Sequence, residues 1–333
     1  MKFAKIFLQD SSFDNTGLGN DAKIYKMYLP YSEIYYINDK NLQKSKVNIF
    51  LEIVPKNFYH LSTTADINVL MVNQEFLIFN NTKLLRKIDI VFAKNRYAVE
   101  VLQSYRKYFK LKFKIYYTKF TSIVDNLNLN KKSNTIAHFA GKSRFKMTDL
   151  IYTLWAKNPN YPKITISCFK SCYDNLKKYS DIKKLSNVKL YKEKIPSKTY
   201  NKIVSDTECF VCPSYMEGYG HYINEGRGNA AFIITTDGPP MNELIDNTCG
   251  ILIDAKPKNI EIKGFKYARS FFISEKSLKV AIEKYLSLSK NEIDNMRTKS
   301  YNRFVSDTIF FRDKMKDFYE KIVTLKEKEL IFE

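Results

Sequence analysis

The chain has 333 residues, of which 44% are hydrophobic. That suits two globular domains of ordinary size and excludes a disordered protein. Lys and Arg number 55 against 35 Asp and Glu, a net charge of +20, which attracts nucleotide phosphates, nucleic acids or an acidic membrane face and says little about fold. No apolar run approaches the ~20 residues that span a bilayer. The opening MKFAKIFLQD predicts a strand rather than a signal peptide, so we expect a cytoplasmic protein with reduced thiols.

Short β-rich runs alternate with helical periods along the chain, which predicts α/β layers built on parallel sheets. The first series of strands runs from FAKIFL to FKIYYT, and a polar, lysine- and asparagine-rich linker follows at residues 125–134. A second series runs from TIAHFAG to GILIDA, and the chain is helical and charged from Ser274 onward. We therefore predict Rossmann-like domains at residues 1–128 and 134–300, and a helical tail at 301–333.

Basic residues are dense between Lys83 and Lys119, where eleven of them face only Asp89 and Glu100. Two interpretations stay open. The commoner one is a solvated helix face followed by a strand, and the other is a docking face for an anionic membrane or another polyanion.

The cysteines imitate a metal site. Cys168, Cys172, Cys209 and Cys212 have the C-x3-C and C-x2-C spacing of a four-thiolate zinc centre. However, the run ECFVCPS is typical of a buried strand, in which Cys209 and Cys212 point to opposite faces. We therefore favour core thiols over zinc and predict no metal site.

The run ECFVCPSYMEGYGHYINEG indicates a strand, a loop and a helix that begins near Gly220. The free N–H groups and positive dipole end of such a helix form a ready phosphate site. Glu217 lies just before this helix end and Glu225 lies about one turn inside it. Since a carboxylate accepts hydrogen bonds from vicinal hydroxyls, the two acids predict a ligand with hydroxyls at both ends and phosphate between them, as in a nucleotide diphosphate sugar. The alternative is a capped surface helix.

The stretch from Pro213 to Ile245 resembles the Glu-x7-Glu signature of retaining GT-B glycosyltransferases of the family 4 (group 1) type. The resemblance implies two Rossmann-like α/β domains that face each other across a cleft, with a C-terminal helix crossing back onto the first domain. It implies site roles that we take over residue by residue. Glu217 contacts the donor sugar, the backbone of Gly218, Tyr219 and Gly220 faces the diphosphate, His221 is a candidate contact to diphosphate or sugar, and Glu225 holds the ribose.

The run HFAGKSRFKMTDL supplies cations for the diphosphate. In the family this place carries an Arg and a Lys that clamp the diphosphate, and Lys142 and Lys146 stand here. Lys142 departs from the family pattern because it stands at the Arg position and lysine lacks the bidentate fork of arginine. Arg144 is a candidate to compensate.

Two stretches of the first domain are candidates to line the cleft. Gly17, Gly19 and Ala22 match G-x-G-x-x-A, which raises the rival reading of a dinucleotide oxidoreductase. Because eight residues separate this motif from the preceding strand, we favour the flexible glycine loop that leads into the first helix of GT-B enzymes. Residues 73–75 (Asn, Gln, Glu) follow a strand end and are candidates to contact acceptor or donor sugar, or else they cap the strand.

The resemblance therefore implies a retaining hexosyltransferase of glycan biosynthesis, with a nucleotide diphosphate sugar as donor substrate, no resident cofactor and a glycan, protein or lipid acceptor. The absence of an Asp-x-Asp motif argues against a metal-dependent GT-A enzyme. Lys142, Lys146 and the amides of residues 218–220 are expected to stabilise the leaving diphosphate. Two alternatives stay open: a DNA-base glycosyltransferase, suggested by the net charge, and a non-catalytic nucleotide-sugar-binding protein with a degenerate GT-B fold. A cytoplasmic location, with peripheral membrane association as an option, follows from these expectations.

Overall fold

The computed structural model describes residues 2–14, 16–124, 127–169, 185–262 and 264–324. The chain divides into two compact units. The first unit comprises Met1–Ile123, Glu261–Ala268 and Ser306–Glu333, and the second comprises Val124–Ile260 and Arg269–Val305. Each unit is built on its own six-stranded sheet, so the α/β alternation of the sequence is confirmed.

The sheet of the first unit is parallel throughout, in the order β2-β1-β3-β4-β5-β6. All four positions of the fifth strand are buried, as expected of a parallel sheet covered by helices on both faces. Its strands are β1 (Lys2–Leu8), β2 (Ser32–Tyr36), β3 (Ser45–Leu51), β4 (Ala65–Met71), β5 (Ile90–Ala93) and β6 (Lys114–Tyr117).

Side chains cap the amino ends of both long helices that follow the strands of the first unit. Thr16 and Asn95 cap the first and fourth helices, since their side chains accept hydrogen bonds from the amides of Gly19 and Ala98. The helices are α1 (Gly17–Tyr28), α2 (Phe58–Ser62), α3 (Thr82–Leu85) and α4 (Arg96–Tyr108), with 3-10 turns at Ser11–Phe13 and Gln74–Phe79.

The second unit also has a fully parallel sheet, in the order β12-β11-β10-β7-β8-β9. Its strands are β7 (Lys132–Gly141), β8 (Ile164–Cys168), β9 (Val188–Tyr191), β10 (Thr207–Cys212), β11 (Phe232–Thr236) and β12 (Ile251–Ile253). Its helices are α5 (Thr148–Lys157), α6 (Ser197–Asp206), α7 (His221–Gly228), α8 (Met241–Leu244) and α9 (Glu275–Ser287).

The core of the second unit lies under β7, β10 and β11, against α5 and α9. It contains Trp155, the only tryptophan of the sequence. The indole is fully buried, and its N–H donates to the carbonyl oxygen of Pro162 at 2.8 Å. Cys168, Cys209 and Cys212 are buried thiols rather than members of a disulfide. Cys172 lies outside the described residues.

Two elements complete the chain. A two-stranded hairpin, β13 (Ala255–Ile262) with β14 (Phe265–Ile273), was not foreseen from the sequence. The last helix, α10 (Lys290–Thr324), runs from the second unit into residues that belong to the first. There Phe318 packs edge-on against Phe92 with ring centroids 5.0 Å apart, and this is the return that the resemblance implied. None of the helices described is long and apolar enough to cross a membrane.

Candidate functional site

The strand order of the second unit locates a crevice. The order reverses between β7 and β10, which lie side by side and parallel. In open α/β sheets, ligands bind beyond the carboxyl ends of the strands at such a switch point. The two loops that leave these strand ends carry the predicted lysines and the first predicted glutamate. They are joined, because the amide of Tyr215 donates to the carbonyl oxygen of Phe145 at 3.0 Å and the two rings lie 5.0 Å apart.

Helix α7 begins at this crevice, as the sequence predicted. Gly220 precedes it with a φ of 91°, a left-handed conformation that strongly favours glycine. A Cβ added there would also lie 3.1 Å from Cδ1 of Ile223. The first turn of α7 holds no acidic residue, so no carboxylate of that turn neutralises the positive end of the helix dipole. The amino end of α7 is therefore suited to an anion.

Glu217, in the loop before α7, is held by a buried serine. The hydroxyl of Ser214 donates to Oε1 of Glu217 at 2.6 Å, and the hydroxyl of Tyr222 lies 2.7 Å from that of Ser214. Ser214 and Tyr222 are both buried. The carboxylate is thus fixed at the edge of the anion site by side chains from both the loop and the helix.

Glu225 is held in the same way by a residue from another helix. Tyr200 on α6 donates its hydroxyl hydrogen bond to Oε2 of Glu225 at 2.6 Å. Burial raises the pKa of Tyr200 well above its ordinary value, and the neighbouring Glu225 carboxylate raises it further. Tyr200 therefore stays protonated and keeps donating. Sequence reasoning missed this residue because 25 positions separate it from its partner.

The two predicted lysines lie in different surroundings. Lys146 is half-buried, and its Nζ lies 3.4 Å from the centroid of the Tyr222 ring. Lys142 is exposed and lies 5.9 Å from the ring centroid of Phe169, and Arg144 is exposed as well. Of the three cations, the structure thus places Lys146 against the residues that hold Glu217, whereas Lys142 contacts the ring of Phe169.

The histidines differ in role. The ring of His221, at the first position of α7, lies edge-on to that of Tyr219 at 5.2 Å. His138 on β7 is fully buried; its Nδ1 lies 2.8 Å from the carbonyl oxygen of Val211 and its Nε2 lies 2.9 Å from the hydroxyl of Thr148. Since a carbonyl oxygen only accepts, Nδ1 carries the proton. His138 is therefore a structural residue.

The glycine motif of the first unit is not a flexible loop, contrary to our expectation. Gly17 and Gly19 form the first turn of α1. A Cβ on Gly19 would lie 2.4 Å from the carbonyl oxygens of Phe13 and Asp14. The glycine is therefore required because the preceding turn packs directly on the helix. Whether Gly17 or Gly19 also contacts a ligand stays a prediction.

A buried polar network at the carboxyl end of the first sheet escaped the sequence analysis. Lys94, after β5, pairs with Asp21 of α1 at 2.8 Å and also donates to Oδ1 of Asn73 at 3.0 Å. Asn73 in turn donates to Oε1 of Glu52, which follows β3 with a strained φ of 68°. Burial raises the pKa of Glu52. Of the predicted trio 73–75, Asn73 joins this network, and residues 74 and 75 are buried in a 3-10 turn.

The basic stretch from Lys83 to Lys119 forms an exposed surface in part. Lys94 is buried, and Lys119 pairs with Asp307 at 2.6 Å. Eight other cations are exposed, and the parallel strand order places six of them at the amino ends of β5 and β6. We call this group the cationic edge: Arg86, Lys87, Lys107, Lys110, Lys112 and Lys114.

Within the described part of the chain, no group of three or more His, Cys, Asp or Glu side chains is arranged to hold a metal ion.

No family model matches the sequence, and no curated protein matches it. Solved structures do match. The pneumococcal O-GlcNAc transferase GtfA, solved with UDP and GlcNAc, has a TM-score of 0.66 at 17% identity, over 86% of this chain and 58% of GtfA. Anabaena HepE, solved with UDP-glucose, has a TM-score of 0.67 at 11% identity, over 95% and 99%. An alpha-glucosyltransferase solved with UDP-glucose and DNA containing an abasic site has a TM-score of 0.66 at 10% identity, over 96% and 100%.

These neighbours are GT-B glycosyltransferases, and both parallel six-stranded sheets of this chain match theirs. The fold is GT-B. Identities of 10–17% establish this shared fold and no more. The chain spans less than two thirds of GtfA and nearly the full length of HepE. Within the GT-B fold, the crevice of Glu217 and Glu225 belongs to the second unit.

Proposed function

We propose that this chain is a retaining, metal-independent glycosyltransferase of the family 4 type, which moves a sugar from a nucleotide diphosphate sugar to an acceptor. One observation carries the proposal. Two glutamates, Glu217 and Glu225, flank an acid-free helix end at a sheet switch point, and each accepts a 2.6 Å hydrogen bond from a hydroxyl. Carboxylates oriented in this way suit hydroxyl groups at the two ends of one ligand, with phosphate between them.

The roles follow from position. Glu225, inside α7, would hold the ribose, while the amides of Gly218, Tyr219 and Gly220 and the ring of His221 would meet the diphosphate at the helix end. Glu217 would accept hydrogen bonds from the donor sugar. Lys146, beside Tyr222, would supply the main positive charge, and Lys142 would reach the diphosphate from its exposed position. HepE and the alpha-glucosyltransferase were both solved with UDP-glucose, so a UDP-sugar is the first donor to test.

The transfer step needs little from the protein beyond electrostatics. The bond between the anomeric carbon and the diphosphate oxygen breaks, and both bonding electrons leave with the oxygen. Lys146 and the amides at the amino end of α7 stabilise that growing charge where it develops. The acceptor oxygen bonds to the anomeric carbon on the same face and passes its proton to the leaving phosphate. This proposal needs neither a protein base nor a metal ion.

The acceptor side is assigned to the first unit. Its sheet order reverses between β1 and β3, and the Glu52–Asn73–Lys94 network lies at the carboxyl ends of its strands. A glycan, protein or lipid acceptor would meet these side chains. Gly17 and Gly19, at the start of α1, also follow the carboxyl end of a strand of this sheet.

A DNA acceptor is the second candidate, and two observations favour it. The net charge is +20, and the cationic edge is a concentrated part of it. A GT-B neighbour of nearly equal length was solved with DNA. In the glycan, protein or lipid case, the cationic edge would instead contact an anionic membrane surface.

The testing experiment is a thermal-shift and calorimetric screen with UDP, GDP and ADP and with their glucose conjugates. Binding of one nucleotide series is expected, and Glu225→Gln should weaken it about tenfold, as the loss of hydrogen bonds to a charged group costs about 1.5 kcal/mol. Glu283→Gln is the matched control, since Glu283 is an exposed carboxylate on α9 of the same unit. No response to any nucleotide, in folded protein, would contradict the proposal.

Product analysis then tests the stereochemistry. Incubation of the binding donor with a panel of hydroxylated acceptors, followed by proton NMR of the new glycosidic bond, should show the anomeric configuration of the donor. An inverted product would overturn the family 4 assignment while leaving the donor site in place.

A further inference from the structure

A chain of three contacts links Lys146 to Glu217 through the buried Tyr222. The Lys146 ammonium lies 3.4 Å from the centroid of the Tyr222 ring. The hydroxyl of Tyr222 lies 2.7 Å from that of Ser214, and Ser214 donates to Glu217 at 2.6 Å. Tyr222 is 3% exposed and Ser214 is not exposed at all, so water does not compete for either hydroxyl. One residue of α7 therefore contacts both sides of the candidate donor site.

The hydrogen bonds from Tyr222 to Ser214 and from Ser214 to Glu217 are both donated in one direction. A hydroxyl carries a single proton, and that of Ser214 is given to the Glu217 carboxylate. The proton between the two hydroxyls must therefore come from Tyr222. Burial raises the pKa of Tyr222 well above its ordinary value, and the nearby Cys212 and Glu217 raise it further. Tyr222 thus remains a donor throughout the working pH range, and consecutive hydrogen bonds of this kind reinforce each other.

The ring of Tyr222 does a different job from its hydroxyl. The face of an aromatic ring attracts a cation that lies over it. A lysine side chain has four rotatable methylene groups and loses rotamer freedom when it is held in place. A ring directly beneath the ammonium group confines Lys146 before any ligand arrives, which lowers the ordering that binding must still impose.

We propose that Tyr222 is a positioning residue with two separable roles in donor recognition. Its ring holds the Lys146 ammonium for the diphosphate, and its hydroxyl, acting through Ser214, fixes the Glu217 carboxylate for the donor sugar. This inference rests on the proposed function, because it assigns the two contacts to the two halves of a nucleotide diphosphate sugar. The neighbouring Cys212 thiol takes no part, since burial raises its pKa well above the ordinary value and keeps it neutral.

Two substitutions separate the roles. Tyr222→Phe keeps the ring and removes the hydroxyl, so the affinity for UDP should stay within about twofold of wild type, while the preference for UDP-glucose over UDP should fall about fivefold. Tyr222→Leu removes the ring as well, so the affinity for UDP itself should fall about fivefold. Both dissociation constants are measured by titration calorimetry, with the guanine or adenine pair used instead if that series stabilises the wild-type protein.

A double-mutant cycle tests whether the hydroxyl acts through Ser214. Ser214→Ala should lower the sugar preference about as much as Tyr222→Phe, and the double variant should lose little more, because both remove links of one chain. Additive losses of sugar preference would show that the two hydroxyls act independently, and would overturn the action of Tyr222 through Ser214.

Tyr285→Phe is the matched control for a merely structural effect. Tyr285 is buried in the same unit, and its hydroxyl donates to Oε2 of Glu208 at 3.0 Å, at the opposite end of β10 from the site. This variant should lower the melting temperature and leave the ratio of the two dissociation constants unchanged. If Tyr222→Leu melts well below the wild type, Tyr222→Met replaces it as a variant of closer volume without a ring.

The outcomes distinguish a failure of the proposed function from a failure of the two roles of Tyr222. Wild-type protein that binds no nucleotide overturns the proposed function, and this inference with it. Wild-type protein that binds UDP-glucose, together with a Tyr222→Phe variant of unchanged sugar preference, overturns the hydroxyl role alone. A ring-less variant with wild-type affinity for UDP overturns the role of the ring.

Discussion

The two lysines of the candidate site differ in how they are held, and this difference has a measurable consequence. Lys146 lies on an aromatic ring at the switch point, whereas Lys142 is exposed. A positioned cation loses less freedom when it binds phosphate than an exposed one. We therefore expect Lys142 to lose more freedom than Lys146 when phosphate binds.

We expect Lys146→Ala to weaken nucleotide diphosphate binding about tenfold, and Lys142→Ala to weaken it about two- to threefold. Dissociation constants from calorimetry at one fixed salt concentration check this order. Lys142→Arg should tighten binding, because arginine adds a bidentate fork. An equal loss in both alanine variants would show that the ring contact confers no advantage on Lys146.

His138 makes the folded chain sensitive to acid. Burial lowers the pKa of His138 from its ordinary 6.5 to about 3. Between these values the unfolded chain binds a proton that the folded chain does not, so stability falls as pH decreases below 6.5. From pH 7 to pH 5 the contribution of this one residue should fall by about 2 kcal/mol.

Urea unfolding at pH 7 and pH 5 tests the contribution of His138. His138→Asn can keep the donor to the carbonyl oxygen of Val211 and removes the titrating ring. This variant should be less stable at pH 7 but should lose about 2 kcal/mol less than wild type between the two pH values. The same pH-dependent loss in both proteins would assign the acid sensitivity to other groups.

At the scale of elements, the start of α7 depends on one backbone conformation. Gly220→Ala puts a Cβ on a residue with a φ of 91° and close to Ile223. We expect a loss of about 1–2 kcal/mol of stability and, because the amides of residues 218–220 shift, a further loss of nucleotide affinity.

Gly264→Ala is the control for Gly220→Ala. Gly264 has a similar φ of 78°, but its Cβ would meet no atom within 4 Å. Gly264→Ala should lose stability because alanine must adopt a left-handed conformation, but it should not change nucleotide binding. Equal nucleotide affinity in both variants would argue against an anion site at the amino end of α7.

Local signals were enough to predict most elements. Gly220 and the preceding loop mark the start of α7, and β-branched and aromatic runs mark the strands of both sheets. The hairpin of β13 and β14 escaped because β13, AKPKNIEI, contains a proline and two lysines and lacks a buried run. Such a strand is stabilised by its partner rather than by its own composition.

The side-chain partners within the site could not be read from the sequence. Tyr200 on α6 meets Glu225 on α7, and Lys94 after β5 meets Asp21 on α1. Both contacts depend on strand order, which local periodicity does not encode. The candidate pair Glu217 and Glu225 was visible because the two residues lie close together in the sequence, on one loop and the helix that follows it.

At the scale of the whole molecule, the charge is concentrated where it can act on a large partner. The amino ends of β5 and β6 carry six exposed cations, and the nearest acid of the stretch, Asp89, accepts a hydrogen bond from the amide of Asn68. These amino ends lie on the opposite side of the sheet from the carboxyl ends of the strands, where the switch point is. A polyanion bound here would leave the other edge of the first unit accessible.

Charge reversal tests the cationic edge. The fourfold Lys→Glu variant at positions 107, 110, 112 and 114 should bind duplex DNA, or vesicles with anionic phospholipid, much more weakly than wild type. For DNA, the slope of the logarithm of the association constant against the logarithm of the salt concentration should become less steep by up to about four. The control reverses four exposed lysines of the second unit, at positions 276, 279, 284 and 299, with the same change in net charge. Equal binding by both variants would make the edge a solvated surface.

The single buried tryptophan is a fluorescence reporter whose position in the fold is known. Trp155 lies in the core of the second unit, beneath the strands that carry the candidate donor site. Its emission should shift to the red only when that unit unfolds and the indole meets water. Circular dichroism reports the unfolding of both units. A nucleotide that binds the second unit should therefore raise the temperature of the fluorescence transition more than it raises the unfolding temperature of the first unit. Comparing the two signals would then localise a ligand to one half of the chain without any label.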